Sequence, residues 1–308
     1  MKALITGSNG FVGRHLEPEL QANGYTVYGL DIVGGDNTDC IDLLNQQSLK
    51  EYVLDRKPDV IFHLAAQANV GLSWKIPQKT YEVNVIGTIN LLEAVKELKS
   101  PCRIVLVGSA DQYGVTGIIK EPISENAALN AQNPYAASKK AQEELSRVYA
   151  KTFDMDIVLT RSFNHSGPGQ GLGYLTTDLC HGIVQVEQGK SEYLKVGNLE
   201  VVRDFSDVRD IVRAYRLLAG KGDSGQVYNV GSGTGRKAQD ILNMLISMSK
   251  SEIPVRQDES RMRPSDTPTL ICDNTRLMEH TGWRAEIPIE TTLQDVLEFY
   301  RVEGVRLK

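Results

Sequence analysis

Short, almost unbroken apolar runs rich in Val, Ile and Leu recur through the first half of the chain, at residues 2–6, 25–30, 59–65, 103–108 and 156–161. Runs this short and continuous read as strands buried on both faces. Between them lie stretches with helical spacing, at about 12–23, 46–56, 78–98 and 134–152. Strand alternating with helix predicts a parallel sheet with helices on both sides, and right-handed crossovers make it a doubly wound α/β fold of the Rossmann type. After Arg161 the pattern becomes irregular. Residues 162–175 are rich in Gly, Asn, Ser and Pro and read as a loop or a crossing between domains. A helix-like segment near 176–188 follows, then short apolar pieces at Tyr193–Val196 and Val227–Val230, a helix at 237–249 and a loop at 257–268. The expected division is a Rossmann domain over 1–164, with returns near 203–230 and 268–280, and a smaller mixed α/β domain over 165–202, 231–267 and 281–308. The smaller domain is expected to cap the sheet's carboxyl edge, where sheets of this kind bind ligands.

Composition narrows the classes. With 308 residues, 41% hydrophobic and 24% charged, the chain suits one large or two modest soluble domains. A net charge of -5 argues against nucleic-acid binding and against an anionic membrane surface. No apolar run approaches the roughly 18 residues of a membrane span, and no leader segment is visible, so a cytoplasmic protein is expected. Cys40, Cys102, Cys180 and Cys272 are scattered without a C-x-x-C pair and read as reduced core residues; no metal site is expected.

The turn after the first run is Gly7-Ser-Asn9-Gly10-Phe11-Val12-Gly13, spaced G-x-x-G-x-x-G and leading into a helix. Glycines there permit a tight turn and let the backbone approach a pyrophosphate at the helix N-terminus. The second run ends in Asp31, placed to hydrogen-bond the adenosine ribose hydroxyls of a dinucleotide and to repel a 2′-phosphate. NAD(H) is therefore favoured over NADP(H), which stays open. Asp42 reads equally as an adenine contact, with Leu43 beside it, or as an ordinary surface acid. Leu64, Ala65 and Ala66 end the run from Val60 in small side chains, which suit either a cofactor lying against the backbone or tight helix packing.

The chemistry centres on Asn133-Pro-Tyr135-Ala-Ala-Ser-Lys139. On a helix Tyr135 and Lys139 share a face. A cation beside a phenol lowers its pKa and makes it a usable acid or base, although the same spacing occurs in ordinary amphipathic helices. Ser109, at the end of the run 103–108, could orient a reacting carbonyl or simply cap a turn.

The glycine turn, Ser109 and Tyr135-x-x-x-Lys139, in that order, resemble the extended short-chain dehydrogenases/reductases over essentially the whole chain. The resemblance implies that Tyr135 is the acid/base, that Lys139 holds the nicotinamide ribose and tunes Tyr135, that Ser109 orients the substrate oxygen, and that Asn84 in Val83-Asn-Val-Ile-Gly87 matches a family Asn at the cofactor. Arg161-Ser-Phe-Asn-His-Ser-Gly-Pro168 is similar to a signature of the GDP-mannose 4,6-dehydratase-like branch and its partner 4-keto reductases. There Asn164 would contact a substrate diphosphate, and His165 would order the loop. Val202–Val208 and Arg261–Asp266 resemble nucleotide-binding segments, with Arg203 and Arg263 pairing the diphosphate, Asp266 on the nucleotide ribose and Val196 among the substrate contacts.

A dehydratase of this branch places a Glu in the stretch Ser109-Ala-Asp-Gln-Tyr-Gly114, where this chain has Asp111, roughly an ångström shorter in reach. Proton abstraction tolerates little misplacement. The resemblance then implies reduction of the 4-keto group of GDP-4-keto-6-deoxy-D-mannose to GDP-D-rhamnose, with a 4,6-dehydratase and then a sugar-nucleotide 4-epimerase as alternatives. The resemblance also implies a homodimer through helices around 82–98 and 134–152. The apolar Val83, Val85, Leu91, Leu92 and Val95 would suit that interface, or equally the inward face of a monomer's helix.

Overall fold

The computed structural model describes residues 1–114, 122–261 and 268–303. The first half of the chain forms β1 (Lys2–Thr6), α1 (Phe11–Ala22), β2 (Thr26–Asp31), β3 (Thr38–Cys40), α2 (Gln46–Arg56), β4 (Val60–His63), α3 (Val70–Lys75), α4 (Pro77–Tyr81), α5 (Gly87–Lys96), β5 (Arg103–Ser109), α6 (Pro134–Phe153) and β6 (Ile157–Ser162). The second half adds β7 (Asn164–Ser166), α7 (Leu175–Glu187), β8 (Leu194–Val196), β9 (Val202–Asp207), α8 (Val208–Lys221), β10 (Val227–Val230), β11 (Gly235–Lys237), α9 (Ala238–Ser247), β12 (Val255–Gln257), β13 (Thr269–Leu270), α10 (Thr275–Thr281) and α11 (Ile289–Glu303).

Seven strands make the central sheet in the order β10-β6-β5-β4-β1-β2-β3, and every neighbouring pair is parallel. This is the doubly wound Rossmann-type sheet that the apolar runs predict. Its inner strands are buried on both faces: β4 and β6 expose none of their residues. On one face Leu16 and Leu20 of α1, Ile211, Tyr215 and Leu218 of α8 and Trp283 pack over Ala3, Ile5, Phe62 and Val158. On the other, Leu49 and Val53 of α2 and Leu91, Leu92 and Val95 of α5 pack over Leu4, Ile61, Ile104 and Leu159. Burying each such side chain contributes about 1.5–3 kcal/mol. A further core joins α7, α9 and α11 through Ile183, Ile241, Leu245, Leu293 and Val296.

The structure departs from the expected pattern in several places. The helix expected over 78–98 is interrupted: α4 and α5 flank a wide π-helical turn at Glu82–Ile86, centred on the buried Asn84. Such turns displace the helix locally and recur at functional sites. The strand β3 and the helices α3 and α8 were not foreseen. Leu91, Leu92 and Val95 face the chain's own core rather than a partner. Cys180 and Cys272 are buried as expected, but Cys40 is exposed because β3 is the sheet's edge strand. Among the described residues no helix is long and apolar enough to cross a membrane.

Candidate active site

The chain leaves β1 toward β2 on one side and resumes at β4 on the other, so a crevice opens at the carboxyl edge between β1 and β4. A cavity of about 1270 Å³ occupies that edge. Its floor is the turn between β1 and α1. Gly7 has φ of 74° and lies so close to β4's end that a Cβ would stand 2.8 Å from the backbone of Ala65. At Gly13 a Cβ would stand 2.5 Å from the carbonyl oxygens of Gly7 and Ser8. Gly10 begins α1 without a side-chain cap. Free N–H groups at a helix start favour an anion.

Asp31 ends β2 beside this turn. Its carboxylate accepts from the backbone N–H of Asn9 (3.2 Å) and of Val33 (3.4 Å). The Asn9 amide donates to Val33 O (2.6 Å), bracing turn and strand together. A close-packed glycine turn, an uncapped helix start and a fixed carboxylate one strand away fit the pyrophosphate and ribose of a dinucleotide.

The opposite wall comes from β5 and α6. Gly108 permits β5 to crowd β6, since a Cβ there would lie 2.3 Å from Thr160 O. The next residue, Ser109, caps a single 3-10 turn, Ala110–Tyr113, with its hydroxyl accepting from Asp111 N (3.2 Å). Asn133 caps α6 by accepting from Ala136 N (2.8 Å), and Pro134 occupies the first turn, where its missing N–H is harmless. That start brings Tyr135 to the cavity, and Lys139 follows one turn later. Ser109, Asp111, Tyr135 and Lys139 all line it.

Their electrostatics differ from the sequence expectation. Burial raises the Tyr135 phenol well above its ordinary value, the Asp111 charge adds to that, and a hydrogen bond with Ser109 opposes it. Lys139 makes its own hydrogen bonds elsewhere on this wall. Its ammonium donates to Val107 O (2.8 Å) and to Gln142 Oε1 (3.0 Å), and burial holds it down at about 7. The phenol is therefore protonated at neutral pH.

A buried ion pair supports this wall. Arg161 of β6 holds Glu143 of α6 through Nη2 (2.6 Å) and Nε (2.9 Å), and both side chains are almost wholly buried. Gln112 donates to the same carboxylate (2.7 Å), and Arg161 donates to the Tyr113 hydroxyl (3.0 Å), which donates to Asn229 (2.6 Å). Burial works against the Glu143 charge, but the Arg161 hydrogen bond and charge outweigh it and keep its pKa low. The Arg of the Arg161–Pro168 signature thus fixes the turn behind Ser109 rather than facing the cavity.

The remaining sequence candidates divide plainly. Asn9, Gly10, Phe11, Val12, Asp42, Leu43, Leu64, Ala65 and Ala66 line the cavity, as do Asn164 and Arg203. His165 also lines it; its ring stacks on Phe11 at 6.2 Å between centroids and its Nδ1 bonds Phe163 O (2.9 Å). Burial lowers its pKa, against the Phe163 carbonyl and the Asp207 charge. Asn84 lies outside the lining: it accepts from Gln67 N (2.8 Å) and donates to the Ser138 hydroxyl (2.9 Å) within the wide turn. Val196 is also outside, packed in the core between β8 and α7. Arg263 and Asp266 lie outside the described residues. The sequence reading missed Asn69, Trp74, Lys79, Tyr174 and Tyr215, all on the lining. They come from α3, α4, α8 and the loop before α7. The only signal for α3 was Asn69, whose side chain caps it.

Comparison with known proteins agrees with this geometry. A family model described as GDP-mannose 4,6 dehydratase matches residues 4–296. A GDP-6-deoxy-D-mannose reductase of Pseudomonas aeruginosa is 34% identical over 297 residues, covering 96% of each chain. Among solved structures, RMD from Pseudomonas aeruginosa complexed with NADPH superposes with a TM-score of 0.89 at 33% identity, over 98% of this chain and 99% of that one. The Thermus thermophilus UDP-glucose 4-epimerase complex with NAD gives 0.88 at 25% identity, again over 98% and 99%. The chain is an oxidoreductase of the extended short-chain dehydrogenase/reductase type and belongs to the GDP-mannose 4,6 dehydratase family.

Proposed function

We propose that the protein reduces the 4-keto group of GDP-4-keto-6-deoxy-D-mannose to give GDP-D-rhamnose. The observation that carries this reading is geometric: Ser109, Tyr135 and Lys139 line the same cavity as the Gly7–Gly13 turn. A reduction needs a proton donor at the carbonyl oxygen, and the Tyr135 phenol is placed in the cavity to supply it. The substrate class is supported by similarity to the Pseudomonas aeruginosa GDP-6-deoxy-D-mannose reductase.

A reduced nicotinamide dinucleotide, held by the Gly7–Gly13 turn, Asp31 and Lys139, would supply the hydride. Ser109 donates a hydrogen bond to the carbonyl oxygen at carbon 4, and Tyr135 transfers its proton to that oxygen as negative charge grows there. The positive charge of Lys139 favours the phenolate that results. Arg203 and Asn164 lie in the cavity where a substrate diphosphate would anchor, and Arg263 and Asp266 are proposed for the same nucleotide. Asp31 favours NADH over NADPH; the Pseudomonas aeruginosa relative is complexed with NADPH.

The test is consumption of the reduced dinucleotide with GDP-4-keto-6-deoxymannose, run in parallel with NADH and NADPH. Wild-type protein is expected to yield a GDP-deoxyhexose, and Tyr135→Phe to lose about 10²–10⁴ in kcat/KM while still binding dinucleotide. No oxidation of either dinucleotide would reject the reading. One observation favours a second reading, GDP-mannose 4,6-dehydratase: Asp111 lines the cavity and its charge reaches Tyr135. Loss of water from GDP-mannose with no net cofactor turnover would identify it.

We further propose a homodimer through α6 and the segment 77–96. Ile86 is 47% exposed, Tyr81 40%, Val148 58% and Phe153 46%. Apolar side chains this exposed on neighbouring helices suit burial against a second copy. Light scattering is expected to give twice the chain mass, falling to one chain mass in Ile86→Glu/Val148→Glu; a wild-type monomer would contradict the proposal.

A further inference from the structure

Gln142, Thr88, His63 and Thr6 are fully buried, and none of them lines the cavity. They form one continuous chain of hydrogen bonds ending on Lys139. Lys139 Nζ lies 3.0 Å from Gln142 Oε1, Gln142 Nε2 2.7 Å from Thr88 Oγ1, His63 Nε2 2.9 Å from the same oxygen, and His63 Nδ1 2.7 Å from Thr6 Oγ1. Thr6 accepts from Ala65 N (3.2 Å), and Ala65 is the residue whose backbone Gly7 closely approaches.

Donor and acceptor counting orients this chain from Lys139 as far as His63 Nε2. An ammonium only donates, so Gln142 turns its oxygen to Lys139 and its N–H group to Thr88. Thr88 has a single hydroxyl hydrogen, which goes to Asn84 O (2.7 Å). Its oxygen must then accept from both Gln142 and His63. His63 therefore carries a proton on Nε2, and, with burial keeping the ring neutral, its Nδ1 accepts from the Thr6 hydroxyl. Burial, with the Lys139 charge adding to it, lowers the His63 pKa to about 3, in keeping with a neutral ring.

The consequence falls on Lys139. Two of its three N–H donors are committed to neutral acceptors, Val107 O and Gln142 Oε1, and one remains for an occupant of the cavity. Glu143, the neighbouring acid on α6, is engaged by Arg161 instead. The other charged groups on elements packed against α6 are Lys75, Lys79 with Glu82, Glu93 with Lys96, Arg103 with Asp156, and Asp111 at the cavity. On α6 itself are Tyr135, Lys140, Glu144, Arg147, Tyr149 and Lys151.

We propose that Gln142 is a positioning residue for Lys139: backed by Thr88, His63 and Thr6, it aims the third N–H at the cavity and leaves the ammonium without a carboxylate partner. This rests on the reading that Lys139 holds the dinucleotide ribose. The test measures NADH affinity by fluorescence titration from pH 6 to 9, beside circular dichroism. Lys139→Met is expected to weaken NADH binding about tenfold, as for a lost charged hydrogen bond. Gln142→Leu should weaken it about fivefold or more. Gln142→Glu, which sets a carboxylate against Nζ, should move the alkaline fall in affinity up by about one pH unit or more. Thr88→Ser should bind as wild type. If Lys139→Met loses affinity while Gln142→Leu and Gln142→Glu keep wild-type affinity and pH midpoint, the inference is overturned. If Lys139→Met itself binds as wild type, the ribose reading falls first. Should Gln142→Leu not fold, Gln142→Asn, which keeps the amide but draws it back from Nζ, decides: weakened NADH binding supports the inference and wild-type binding overturns it.

Discussion

Lys139 gives this fold a signed dependence on pH. The free side chain keeps its proton up to 10.5, whereas burial lowers the folded value to about 7. Between those values the unfolded chain binds more protons than the folded one, so this group makes stability rise with pH across the window, and its unfavourable effect is full below about 7. The slope from one such group is at most about 1.4 kcal/mol per pH unit. Lys139→Met is expected to raise the urea midpoint at pH 7 and to do so much less at pH 10. Equal gains at both would show that packing rather than ionisation governs the site. His63 acts with the same sign in a lower window, from about 3 to 6.5. Tyr135 acts oppositely and only in alkali, because its folded pKa is raised.

Among the elements, α6 and β6 are joined to the turn after β5 by Glu143 and Arg161, and that join is open to test. Glu143→Ala leaves a buried guanidinium uncompensated and should cost about 3–5 kcal/mol, read as a lowered denaturation midpoint. Glu143→Leu/Arg161→Met should recover much of that loss, and a double variant no better than the single would refute the pairing argument. The strands β1, β4, β5 and β6 were legible in sequence because a strand buried on both faces leaves an unbroken apolar run. Helix α8 was not. Asp207 caps it by accepting from Arg209 N (2.8 Å), and Ile211, Val212, Tyr215 and Leu218 carry a helical stripe. However, Arg209, Arg213 and Arg216 break the apolar run, and Val202–Val208 reads as one motif although it is a strand plus a cap. At the site, the glycine turn and the Tyr135–Lys139 spacing are local and were readable. The facing of Val196 depends on how β8 packs, and the engagement of Lys139 on how β5 brings the Val107 carbonyl against α6. Neither is encoded in local spacing.

At the scale of the whole molecule, the sheet is completed late in the chain. β6 pairs with β5 on one side, and on the other with β10, which arrives only after β7, α7, β8, β9 and α8. The turn behind Ser109 also waits for distant partners: Tyr113 bonds Asn229, and Ile123 N donates to Ile271 O (2.8 Å). Contacts of such separation form slowly, since loop closure precedes any gain from them. During synthesis β6 would present an open edge, and the wall of the cavity would stay unformed, until residues past 270 have emerged. A chain ending at residue 226 is expected to be cut by protease between 122 and 134 under conditions in which the full chain resists there. Equal resistance would mean that the wall forms on its own. The cavity that holds Tyr135 is thus among the last parts of this protein to exist, and its assembly, rather than that of the sheet's centre, sets when a newly made molecule becomes able to act.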